Sequence, residues 1–407
     1  MSDTVRSASG SPAETLARAA PAAPAGRLPL LDVLRGAAIL GTLMTNVWIF
    51  AGPGAEWGVL DGATDGSSLR HLISDPSLPR AAESVFRFLA DGKFLALLTV
   101  LFGVGLAIQF GSAARRGQPW PGRYRWRALF LLAEGTLHFV LVFAWDVLMG
   151  YAVTALLVAW LLTRTERFQR VAMWTAASLH LAFMSLLTLA SAASSGSGGG
   201  DGTARNVVDL YADGGYLDQV LFRLRNAGVL RMEPVLSFGL LVFLFLLGVR
   251  LFRAGAFGSD ATGRRIRARL LGWGLGLGLP LNLVVSLAGS DFYLLSRYAA
   301  APVLALGYLG LVGVLTDRLR GGGLLTTGLT SVGRTALSCY VTQNVLCVLA
   351  CYGIGLGLAA RLEGSGPWWV MGLWAVICLL LMTASTLWLR RFSTGPLEAV
   401  QKWVLRR

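Results

Sequence analysis

The sequence predicts an all-α polytopic membrane protein, a bundle of about ten transmembrane helices with both termini in the cytoplasm. Three observations carry this. Of 407 residues, 55% are apolar and only 14% charged, against about 25% charged in soluble chains; the mean hydropathy is +0.60. The apolar residues gather in segments of about 17–25 residues, the length that crosses a bilayer. The arginines concentrate in alternate connections between those segments, as the positive-inside rule requires.

Residues 1–27 are Ala/Pro/Ser-rich with scattered arginines and no apolar core. They read as a disordered cytoplasmic tail rather than a cleaved leader. Residues 28–407 read as a single transmembrane helical domain. Its spans fall at about 30–51, 93–111, 127–143, 147–163, 171–190, 234–252, 270–288, 297–315, 335–357 and 367–389. Segment 111–127 carries Arg115, Arg116, Arg123, Arg125 and Arg127 without an acid. Segment 250–269, segment 163–170 and the C-terminal tail are basic too, and all four share one side if the count is ten. The acid-rich connections 52–92 and 190–233 fall on the other. The net charge of +14 is therefore topological, and no nucleic-acid partner follows from it.

The connections differ in character. The run Ser194 to Gly202 is Ser/Gly-rich and reads as flexible. The stretch 204–232 reads as an interfacial amphipathic helix, with Val208, Leu210, Tyr211, Leu217, Val220, Leu221 and Leu224 as its apolar face; 81–92 reads as another. Cys339, Cys347, Cys351 and Cys378 all fall in apolar spans without metal-ligand spacing, and read as small buried hydrophobes. No metal site, phosphate-binding loop or serine nucleophile elbow is evident, nor is an internal repeat.

The chemistry centres on residues 135–151, where two apolar segments meet in a tight hairpin. It holds Glu134, His138, Asp146 and Tyr151. An ionisable group inside a membrane helix costs about 2.5–3.5 kcal/mol on insertion scales, so four titratable groups imply a polar interior. His138 is the natural general base near neutral pH. Asp146 begins the second helix, where aspartate caps the backbone, and reaches His138 if the turn falls between them. Glu134 lies one turn from His138 on the same face. On the first span, Asp32 and Arg35 are three apart and form a helix-end ion pair, and Asn46 lies at a depth matching His138. Lys93 and Lys402 are the only lysines in an arginine-rich chain; Lys93 stands at the mouth of the second span. Gln343 and Asn344 lie midway along the ninth span, where amides usually bind helix to helix.

These residues form recognisable motifs. Leu31-Asp-Val-Leu-Arg-Gly36 followed by Asn46 resembles the opening of the YeiB family of bacterial inner-membrane proteins, built on domain of unknown function 418. Lys93-Phe94 with Leu101-Phe-Gly103, Gly135-Thr-Leu-His138 with Asp146 and Tyr151, Val332-Gly-Arg-Thr-Ala-Leu-Ser-Cys-Tyr340 with Gln343, and Gly395-Pro-Leu-Glu398 resemble its later motifs, in order. The resemblance implies location in the bacterial cytoplasmic membrane. The opening motif is also similar to that of transmembrane acyltransferases, including the lysosomal enzyme that acetylates heparan glucosamine. The loop histidine of that enzyme has no counterpart in Phe50 to Trp57, which leaves His138 as the candidate.

Two function classes follow. In the first, acyl-CoA or acetyl-CoA docks from the cytosol with its phosphates on Arg35 and Arg334. His138 and Asp146 act as base and orienting carboxylate, Asn46 and Lys93 stabilise the oxyanion, and the acceptor is a hydroxyl or amine of a small molecule, glycan or lipid. In the second, the same cluster is the substrate site of a transporter or exporter. A structural role for the polar groups is the blander third. A monomer and a homodimer fit the composition equally well.

Overall fold

The structure, a computed structural model, describes residues 28–52, 54–60, 69, 76–194, 204–319 and 323–406. The expected tail 1–27 and most of the Ser/Gly-rich connection lie outside the described residues. Fifteen helices organise the chain: α1 Pro29–Ala51, α2 Leu78–Ala90, α3 Lys93–Arg115, α4 Tyr124–Leu141, α5 Leu148–Leu161, α6 Glu166–Ser194, α7 Arg205–Ala212, α8 Tyr216–Arg225, α9 Phe238–Arg253, α10 Ala261–Ala288, α11 Ala301–Arg318, α12 Leu324–Arg334, α13 Ala336–Cys351, α14 Trp368–Arg391 and α15 Pro396–Arg406, with shorter turns between them. No strand occurs among the described residues.

Each of the ten expected spans falls on one of these helices. Six helical stretches are long and apolar enough to cross a membrane: Pro29–Ala51, Leu78–Arg115, Glu166–Ala193, Ala261–Ala288, Ser290–Arg318 and Trp368–Arg391. The chain is an integral membrane protein. Helices α5 and α13 are apolar but shorter. The expected span 335–357 ends at Cys351, because Tyr352 turns extended (ψ 155°) and Gly357 is left-handed (φ 62°). The apolar faces of α6 and α10 look outward, with Trp174 60% and Trp273 74% exposed. Such a surface suits the hydrocarbon of a bilayer.

Glycines set the closest packing. A Cβ on Gly333 would overlap the Asp32 carbonyl, and one on Gly36 would overlap that of Leu329. Helices α1 and α12 thus meet backbone to backbone, which explains a glycine after Arg35 and another before Arg334. Gly103 and Gly248 let α3 and α9 meet in the same way, and Gly274 and Gly307 do so for α10 and α11. Small residues at the contact are how membrane helices gain dispersion energy.

The stretch 204–232 divides into shorter helices and is not one amphipathic helix. It forms α7 and α8. Leu217, Leu221 and Leu224 are exposed, whereas Gln219 and Arg223 are wholly buried. The polar face is the inward one because an acid waits for it, as described below.

Gly333→Val should destabilise the protein by about 3 kcal/mol or more, the cost of forcing atoms into a filled contact. Gly276→Ala, where a Cβ meets open space, should leave the melting temperature unchanged or slightly raised. Thermal unfolding in detergent measures both.

Candidate functional site

The hairpin turn places its two ionisable groups together. Helix α4 ends where the amides of Val142 and Phe143 both donate to the His138 carbonyl, at 2.8 and 2.9 Å. The chain turns and α5 begins at Leu148. Asp146 Oδ2 accepts from the amides of Leu148 (3.0 Å) and Met149 (3.4 Å), so the aspartate does cap the helix. Its Oδ1 lies 3.2 Å from His138 Nδ1 and accepts from the Tyr340 hydroxyl at 3.1 Å. Gly135 is required here, because a Cβ would come within 2.7 Å of Asp146 Oδ2.

The rest of the cluster comes from distant segments. Asn344 Nδ2 lies 3.2 Å from His138 Nε2. This pattern fits a neutral imidazole with its proton on Nδ1, accepting from the amide at Nε2. Arg231 lies over the Phe139 ring, 3.9 Å from its centroid. It donates to the carbonyls of Gly135 (3.2 Å) and Asp146 (3.4 Å), with Nη1 4.0 Å from Asp146 Oδ2. His138, Asp146, Tyr340 and Asn344 are all buried.

Two cavities approach this cluster from opposite ends of the bundle. The lower one, about 240 Å³, is lined by Arg35, Arg127, Arg334 and Gln109 among others. The upper one, about 460 Å³, is lined by Thr42, Asn46, Arg87, Glu233 and Arg297 among others. Val147 faces the upper cavity and Leu148 the lower. Tyr340 lines both. His138 is in the lining of neither.

The remaining sequence candidates sort around this frame. Arg35 pairs with Asp32 at 3.6 Å, and Arg334 donates to the Ser393 carbonyl at 3.3 Å. Asn46 lines the upper cavity and is not part of the His138 cluster. Lys93 is buried, its Nζ 4.8 Å from the Phe88 ring centroid. Tyr151 is bonded to Thr99 (2.8 Å) and the Leu95 carbonyl (3.3 Å), tying α5 to α3 away from the cluster. Both carboxyl oxygens of Glu134 and both amide atoms of Gln343 are buried without a hydrogen-bond partner among the described residues. Among those residues there is no group of His, Cys, Asp and Glu that would hold a metal.

Tertiary structure adds groups that the spacing did not reveal. Glu56 and Arg223 form a wholly buried ion pair, 2.9 Å apart. Tyr211 and Tyr352 also donate to Glu56, each at 3.2 Å. Burial alone would lower the Arg223 pKa, but the Glu56 carboxylate outweighs it and holds the guanidinium well above its ordinary value. Burial, then the same carboxylate, push the Tyr211 phenol up, so it stays a donor. Arg223 Nη1 reaches the Val140 carbonyl (3.3 Å), and Trp145 Nε1 donates to the Glu56 carbonyl (2.8 Å). The pair therefore clasps the hairpin from above. At the upper cavity Glu233 accepts from Tyr298 (2.7 Å) and Arg297 (3.0 Å), beside a π-helical turn at Ser296–Ala300. Glu398 Oε1 accepts from the Leu337 amide (2.8 Å), and Oε2 from the Ser338 hydroxyl (2.6 Å). The C-terminal carboxylate thus sits on the N-terminus of α13, where the helix dipole favours it.

This assembly of motifs matches known sequences. Residues 251–407 match the family described as "Protein of unknown function (DUF418)". The chain is 27% identical over 386 residues to the uncharacterized protein YxaH of Bacillus subtilis (strain 168), covering 91% of this chain and 92% of that one. It is 27% identical over 394 residues to the uncharacterized protein YeiB of Escherichia coli (strain K12), covering 93% and 94%. The chain is thus similar to the DUF418 family in its C-terminal part and to these two proteins over most of its length. The family match includes Arg334, Tyr340, Asn344 and Glu398, while the whole-length relatives extend over the hairpin with His138 and Asp146.

Arg223→Met should cost about 3–5 kcal/mol, because it leaves the Glu56 carboxylate buried without its counter-charge. The double replacement Glu56→Gln with Arg223→Met should recover part of this, since both charges go. Thermal unfolding of the three proteins checks the pattern.

Proposed function

We propose that this chain is a transmembrane acyltransferase of the bacterial cytoplasmic membrane. It would have ten spans and both termini in the cytoplasm, and would move an acyl group from cytosolic acyl-CoA to a hydroxyl or amine of a glycan or lipid. The observation that carries the reading is the pair of cavities that share Tyr340, beside the buried His138–Asp146 pair, with Arg35, Arg127 and Arg334 around the lower one. Guanidinium suits phosphate through paired hydrogen bonds. The lower cavity would take the thioester and its pantetheine arm, leaving the nucleotide at the arginine-rich mouth. The acceptor enters the upper cavity, and the cluster takes its proton.

A transport reading has one observation in its favour. Helices α12 and α13 form a discontinuous pair broken at Thr335 (φ −117°, ψ 34°), next to the cluster, and many transporters build their sites on broken helices. The two readings separate in proteoliposomes: an enzyme consumes thioester, whereas a transporter moves solute without doing so.

Acetyl-CoA and CoA should bind saturably to the detergent-purified protein. Arg35→Ala and Arg334→Ala should each weaken binding about ten-fold or more, the 1.5–3 kcal/mol of a charged hydrogen bond. Calorimetry is the measurement, and no binding at millimolar CoA overturns the acyl-transfer reading. His138→Ala should abolish thioester consumption while leaving CoA binding intact; unchanged turnover would remove His138 from the mechanism.

A further inference from the structure

Acyl transfer across a partition sets a proton problem. The acceptor loses a proton on one side, and the departing thiolate needs one on the other. One group must therefore reach both cavities. His138 does not: it lines neither, and its ring nitrogens already face Asp146 at 3.2 Å and Asn344 at 3.2 Å. Asn46 reaches only the upper cavity. Tyr340 is the one described residue common to the two linings. Its hydroxyl donates to Asp146 Oδ1 at 3.1 Å, and its ring packs on His138 with centroids 5.3 Å apart.

We propose that Tyr340 is the catalytic residue of this partition and that it shuttles the proton of the transfer. The inference rests on the acyl-transfer reading above. As the acceptor X–H attacks the thioester carbon, its proton passes to the Tyr340 oxygen, and the hydroxyl's own proton passes to Asp146 Oδ1. The C–X bond forms and the C–S bond breaks. The proton then returns from Asp146 through Tyr340 to the thiolate sulfur in the lower cavity. Acyl-thioester and acceptor become acylated acceptor and thiol, with no other reactant. His138, Asn344 and Arg231 are positioning residues, which hold Asp146 and set its side chain toward Tyr340. Asn344 Oδ1 is buried without a partner among the described residues, so its amide has a second orientation to offer as the imidazole donates or accepts.

The test uses purified full-length protein, acetyl-CoA, and glucosamine and glycerol as acceptors. Tyr340→Phe keeps the ring and loses the hydroxyl. It should lower kcat by about 100-fold or more, the usual contribution of a proton-transfer group. Its KM for acetyl-CoA should stay within about two-fold of wild type, and CoA binding on the same preparation verifies folding. His138→Asn, whose amide can keep a donor at the Nδ1 position toward Asp146, should keep activity that His138→Ala loses. Tyr340→Phe turning over at the wild-type rate, or His138→Asn as inactive as His138→Ala, overturns the proposal and leaves acyl transfer standing. Wild-type protein that consumes no acetyl-CoA with either acceptor overturns both.

Discussion

The buried carboxylate of Asp146 is the constraint on which the rest depends. A carboxylate inside a membrane helical bundle is tolerated only when its oxygens are met by donors. Four hydrogen bonds meet it, from His138, Tyr340 and the amides of Leu148 and Met149, and Arg231 adds a charge at 4.0 Å. These donors come from the end of α4, the start of α5, α13 and the segment before α9. Satisfying one side chain thus fixes the mutual placement of four parts of the chain. It also dictates the glycine at 135, the only residue that leaves room for the carboxylate.

The elements that present the donors are themselves held by ions. Glu398 grips the first turn of α13, so the C-terminal helix sets the height and rotation of Tyr340 and Asn344. Glu56 and Arg223 clasp the hairpin turn from above. Between the two cavities stands Tyr340, the one described residue that lines both. The lower cavity is lined by Arg35, Arg127 and Arg334 beside Glu398, and the upper one by Arg87 and Arg297 beside Asp91, Glu233 and Asp291.

Much of this was legible in the sequence. Hydropathy over windows of membrane length located ten of the helices, whereas α12 and α15 were not foreseen. The placement of Glu134, His138 and Asp146 in one hairpin marked its turn as a candidate site, and Asp146 does cap α5 and reach His138. Arg223, Arg231 and Arg297 escaped notice because partners far apart in sequence define their roles. A signal for them existed. They lie on or beside the acid-rich connections, where the charge rule disfavours arginine; each pairs there with an acid, Glu56, Asp146 and Glu233 in turn. Asn46 illustrates the opposite failure, since equal depth in the bilayer did not bring it to His138.

What the sequence by itself determined is the helical membrane architecture, the hairpin and the local cap, because hydropathy, helical rise and capping depend on residues a few positions apart. Which polar groups share a site was decided only by the tertiary structure. The approach of α12 to α1 through glycine, the inward turn of the polar face of α8 and the arrival of Tyr340 between two cavities all depend on pairings across 150 residues or more. Burial in a low-dielectric interior makes such pairings obligatory, but no local pattern names the partner.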